Sequence, residues 1–166
     1  MKIAIYGTIW IALGALLLGE LGRRRNRQTG VTTRWAIVCS AIGVFLTATH
    51  ILIALGVAYD WDHTRAATVT AERAAVVYGV AWPLSLYVNY VFLTWWLADT
   101  IWWWRATPSF LTRAPLIEWA WRLIAFTMVI NGAVIFASTA GRVAGVPLAA
   151  ALVFVWWHSP SNRRST

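Results

Sequence analysis

From Trp35 to Tyr59 the chain carries no Asp, Glu, Lys or Arg. A helix needs about 20 mostly apolar residues to cross a hydrocarbon core about 30 Å thick. Runs of that character recur at about 3–21, 35–59, 74–104, 116–140 and 143–157. The stretch 74–104 exceeds a straight crossing and holds Pro83, where a kink is expected; 143–157 is short and holds Pro147. Of the 166 residues, 60% are hydrophobic and 12% charged, which excludes disorder and a coiled coil. The expectation is an all-α integral membrane bundle of five transmembrane helices, with residues 1–166 forming one domain.

Arginine sets the expected orientation, because cytoplasmic loops collect Lys and Arg. Arg23, Arg24, Arg25, Arg27 and Arg34 follow the first run, whereas only Lys2 precedes it. That places the N-terminus outside and, with five spans, the C-terminus with Arg163 and Arg164 inside. The net charge of +8 is then assigned to lipid headgroups rather than nucleic acid. Trp95, Trp96, Trp102, Trp103, Trp104, Trp119, Trp121, Trp156 and Trp157 read as an interfacial belt. The implied partners are a lipid bilayer, other membrane-protein subunits or a second copy of the chain, and the implied location is a bacterial-type cytoplasmic membrane. The single cysteine, Cys39, allows no intramolecular disulfide.

Polar groups at membrane depth face protein or water. Ser40, Gly43, Thr47, His50 and Ala54 form one stripe, and Trp82, Ser85, Asn89, Phe92, Trp96 and Asp99 another; Thr127, Asn131 and Ser138 share a third. At about 1.5 Å per residue, His50, Asn89 and Asn131 fall within about 5 Å of one depth. They make the expected polar core, flanked by Thr47, Ser85 and Thr127, and serve as interhelical glue or as a ligand, ion or proton site. Asp99, Glu118 and Arg122 mark the expected inner mouth. Glu118 and Arg122 are spaced for a helical ion pair, and Asp99 either pairs with Arg105 or Arg122 or relays protons.

The sequence offers two cofactor sites. Asp60, Asp62 and His63 carry divalent-cation ligands within four residues, and His50 can serve as the single axial ligand of a haem or chlorin, with Gly43 and Ala54 leaving room for the macrocycle. His63 and His158 lie too far from membrane depth to complete a bis-histidine haem. No Walker loop, dinucleotide-binding glycine pattern, His-Glu-x-x-His or Gly-x-Ser-x-Gly occurs. The sequence therefore reads as a non-enzymatic, polytopic accessory or structural membrane subunit. The alternatives are a small transporter or channel for protons, a cation or a small solute, and a pigment-binding or haem-binding membrane protein.

Overall fold

Glycine and proline set most of the breaks between helices in the computed structural model, which describes residues 2–135, 137 and 139–157. Helix α1 (Lys2–Thr29) stops where Gly30 takes φ of 68°. This left-handed conformation lets the Gly30 N–H reach the Asn26 carbonyl at 2.9 Å. Helix α2 spans Arg34–Tyr59. The Asp62 carboxylate then caps α3 (His63–Tyr78) by accepting from the Arg65 backbone N–H at 2.9 Å. Gly79, with φ of 75°, ends α3, and a non-helical link containing Pro83 leads to α4 (Ser85–Arg105). The short α5 (Thr107–Leu111) and a turn precede α6 (Pro115–Ile130), which opens on proline. A π-helical turn, Asn131–Ile135, continues α6, and α7 (Thr139–Trp157) carries Pro147 inside it.

These helices do not form the expected five-span bundle. Among the described residues one helix, Arg34–Tyr59, is long and apolar enough to cross a membrane, and Gly141–Trp157 is apolar but shorter. The run at 74–104 is divided between α3 and α4, and the run at 116–140 passes into the π-helical turn. The run at 3–21 does not end in a basic loop: α1 continues through Arg23, Arg24, Arg25 and Arg27 to Thr29, because arginine is a good helix former. The supposed external connection, 60–73, is mostly helix α3.

The N-out, C-in orientation, the inner-membrane location and the lipid and membrane-subunit partners all rested on that span count and on arginines at headgroups. The structure instead buries Arg23 and Arg113, at 3% and 8% exposure. The polytopic accessory, transporter and membrane-pigment readings go with them. Ser138, His158, Arg163 and Arg164 lie outside the described residues.

Small residues bring α1 and α2 together as an antiparallel hairpin. A Cβ placed on Gly22 would run into the Ala36 methyl, and one on Gly19 would sit 3.6 Å from the Ser40 Cβ. The main core then gathers Leu13 and Leu16 of α1, Val44 of α2, Phe92 and Trp96 of α4, Trp121 and Val129 of α6, and Leu152, Val155 and Trp156 of α7. A second core joins Ala36 and Ile37 to Trp103 and Phe110. Trp96, Trp103, Trp121 and Trp156 are thus interior packing residues, not a belt, whereas Trp104, Trp119 and Trp157 are exposed.

Candidate functional site

Leu13, Leu16, Glu20, Arg23 and Arg27 follow one another at spacings of three and four and so share one face of α1. The face is apolar in its first half and charged in its second, yet Leu13, Leu16, Glu20 and Arg23 are all buried. Folding therefore has to supply counter-charges from elsewhere in the chain. α4 brings Asp99, the turn after α5 brings Arg113, and α6 brings Glu118 and Arg122.

Every carboxylate in this cluster is engaged. Glu20 accepts from the indole N–H groups of Trp121 at 2.9 Å and Trp156 at 2.8 Å, and lies 3.2 Å from the Arg23 guanidinium. Asp99 accepts from Arg23 at 2.8 Å on one oxygen and from Arg113 on the other. Glu118 receives a two-pronged contact from Arg27, at 3.1 and 2.7 Å, together with Arg113 at 2.8 Å and Arg122 at 3.0 Å. The guanidinium carbon of Arg23 also stands 4.8 Å from the centroid of the Phe110 ring and 5.6 Å from those of Trp103 and Trp121. Such contacts add cation–π attraction where solvent is excluded.

The electrostatics follow from this geometry. Burial alone would raise the Glu118 pKa, but attraction from Arg23, Arg27 and Arg113 and the Arg27 hydrogen bonds hold the carboxyl well below the ordinary carboxylate range. Burial, reinforced by repulsion from Arg23, lowers the Arg113 pKa from that of a free guanidinium against the pull of Asp99 and Glu118. Because the Glu118 pKa is depressed in the folded state, the unfolded chain binds more protons as pH falls below the ordinary carboxylate pKa. The stability that Glu118 supplies is therefore fully present above about pH 4.5 and is lost as pH falls toward its folded value. Chemical unfolding measured from pH 7 down to pH 3 should show a drop at the acid end, and Glu118→Gln should flatten that slope.

A neutral layer lies beside the charges. The Trp96 indole donates to the Ser40 hydroxyl at 2.9 Å, and Ser40 and Thr100 share a hydrogen bond of 2.8 Å. The space beside Gly43 that the sequence reading gave to a macrocycle is filled by Trp96, whose ring would stand 2.5 Å from a Cβ there.

The sequence-derived polar core is not joined by hydrogen bonds among the described residues. His50 faces Thr8 at 3.5 Å, Asn89 donates to the Leu86 carbonyl of its own helix at 3.2 Å, and Asn131 accepts from the Tyr78 hydroxyl. Thr47 is buried, Thr127 bonds back to the Leu123 carbonyl at 2.9 Å, and the buried Ser85 hydroxyl has no partner among the described residues.

Asp99, Glu118 and Arg122 do meet charges, but Asp99 pairs with Arg23 and Arg113 instead of Arg105 or Arg122. Asp60 pairs with Arg65 at 3.2 Å, Asp62 caps α3, and His63 faces the Tyr90 hydroxyl at 3.3 Å. Among the described residues no group of three or more His, Cys, Asp or Glu could hold a metal ion.

Glu20, Arg23, Asn26, Arg27 and Arg113 were not singled out as site residues by the sequence. The signal that could have found the α1 residues is the continuation of the α1 stripe beyond Leu16 into polar and charged residues; nothing local marks Arg113, in the turn after α5. No family model matches the chain, and the comparisons with curated proteins and with solved structures gave no match either.

Proposed function

We propose that this chain is a non-enzymatic helical framework locked from within by its arginine and carboxylate cluster. The observation that supports this most is the engagement of all three carboxylates: Glu20, Asp99 and Glu118 each accept from two or more cationic or indole donors. A general base needs a carboxylate whose lone pairs can reach a substrate proton at working pH. A carboxylate enclosed by guanidinium groups is a fixed negative charge, and its role is to position what surrounds it.

The surface fits the same reading. An open groove between α6 and α7 is lined by Phe126, Ile130, Val146, Val153, Phe154 and Trp157, and it is almost wholly apolar. It presents no convergent set of titratable groups of the kind an active site gathers. The chemistry of the molecule is concentrated inside, where α1, α4, α6 and the turn holding Arg113 converge.

Amide hydrogen exchange tests the proposal, since a common lock makes its segments open together. Residues 20–27, 96–103 and 113–121 should exchange with one shared, slow opening, and Glu118→Gln should speed exchange in all three. Loss of protection confined to α6 in that variant would contradict a common lock.

A further inference from the structure

Helix α2 turns small and polar residues inward and large apolar ones outward. Ser40, Gly43 and Thr47 are buried, whereas Val38 is 56%, Ile42 46%, Phe45 69% and Leu52 55% exposed. With Thr49 these outer residues follow at alternating spacings of four and three. That spacing is the seam of a helix that packs lengthwise against another helix. Thr49 makes no polar demand on the seam, because its hydroxyl donates to the Phe45 carbonyl of its own helix at 2.9 Å. No charged residue interrupts the face between Arg34 and Asp60. The strip from Val38 to Leu52 is about 21 Å long at 1.5 Å per residue, and a contiguous exposed apolar strip marks an interaction surface.

The order of residues along the strip fits a copy of itself. Turned end for end about its middle, it sets Ile42 against Leu52 and the large Phe45 against the smaller Thr49. Val38 then meets the Trp61 ring, which covers Gly56 with atoms 2.8 Å from a Cβ placed there. The same register sets Arg34 against Asp60, both of them exposed. Asp60 and Asp62 outnumber Arg65 at that end of α2, while Arg25 and Arg34 stand exposed at the other. A parallel pairing would instead bring Arg34 against Arg34 and align the two helix dipoles, both unfavourable.

We infer that the outer face of α2 is a homodimer interface, on which α2 of a second copy packs antiparallel about a twofold axis level with Thr47. Twofold symmetry makes each contact occur twice, so the apolar pairs and the Arg34 to Asp60 pairs are both doubled. The face lies outside the charge cluster, so the dimer and the internal lock can fail separately.

Light scattering on the full chain should give the mass of two copies, falling to one on dilution. Phe45→Glu places a carboxylate at the centre of the seam on an exposed position and should weaken association by about thirtyfold or more, as loss of a central apolar anchor does. Arg34→Glu should weaken it about tenfold, since two rim ion pairs are lost at once. The register is read by cross-linking with a short bis-maleimide after Cys39, the single cysteine, is replaced by alanine. Chains carrying Ile42→Cys and chains carrying Leu52→Cys should cross-link when mixed, and neither should cross-link alone.

A single copy at every concentration, or an association that Phe45→Glu leaves unchanged, would overturn the interface. Cross-linking of Ile42→Cys chains to one another in preference to Leu52→Cys chains would mean a parallel pair and would overturn the antiparallel register.

Discussion

Asp99→Asn lowers the melting temperature by about 10 °C, the larger of the two main effects expected of single substitutions in this chain. Asp99 is 3% exposed and is the counter-charge for both Arg23 and Arg113, which are themselves buried. Asparagine preserves the size of the side chain but removes the charge, leaving two guanidinium groups to share the remaining carboxylates. Breaking a buried pair from one side costs about 3–5 kcal/mol. For a domain of this size each kcal/mol moves the midpoint by about 2–4 °C. Differential scanning calorimetry measures it directly, and a shift below about 2 °C, which corresponds to a surface ion pair, would contradict the burial argument. Replacement of Asp60, which pairs with Arg65 on the exposed surface, should stay within that smaller range.

The second large effect comes from a methyl group. Gly22→Ala should destabilise the chain by about 1–3 kcal/mol, although alanine is the better helix former by about 1 kcal/mol. The added Cβ would collide with the Ala36 methyl, and the Trp35 ring stands 3.5 Å away. Neither helix can yield locally, since Gly22 is next to Arg23 and Ala36 is fully buried against Trp103 and Phe110. Gly14→Ala provides the internal comparison: nothing lies within 4 Å of a Cβ at Gly14, so only the helical preference operates and stability should rise. Urea unfolding of the two variants should give shifts of opposite sign. Equal shifts would mean that α1 and α2 are not in close contact at Gly22.

These two sites show how far the sequence could be read. The inward stripe of α2 was legible in part: Ser40, Gly43 and Thr47 recur at helical spacing and are buried, whereas His50 and Ala54, read as its continuation, are only partly buried. On α4 only the second half of the stripe, Phe92, Trp96 and Asp99, is buried; Trp82 is exposed, Ser85 and Asn89 are partly buried, and α6 turns Trp121, Ala125 and Val129 inward while Thr127 is exposed. The four-residue spacing of Glu118 and Arg122 does bring that pair together. All of this is local periodicity. Misreading began where hydropathy and helix propensity diverge. The arginines after Leu21 look like the end of an apolar span, but they continue α1, and Arg23 turns into the core on the same face as Leu13 and Leu16.

The counter-charges were hidden for a different reason. Arg23 lies 76 residues from Asp99, and Arg27 lies 91 from Glu118, so no local pattern announces either pair. Apolar composition likewise cannot distinguish tryptophans facing outward from those that fill a core and donate to Glu20, as Trp121 and Trp156 do. His50, Asn89 and Asn131 were grouped by depth along imagined parallel spans. The break between α3 and α4 and the π-helical turn after α6 remove that common frame.

The central claim is that α1 is held to α4 by charge across the interior, and a double-mutant cycle on Arg23 and Asp99 tests it most directly. Arg23→Gln, Asp99→Asn and the double variant are unfolded under one set of conditions beside the wild type. Coupled buried partners give interaction energies of about 0.5–3 kcal/mol, and the 2.8 Å contact between Arg23 and Asp99 should fall in the upper half of that range. The double variant should then be markedly more stable than the sum of the single losses implies. Additivity within about 0.3 kcal/mol would show that the two residues do not interact, and the charge-locked framework would fail.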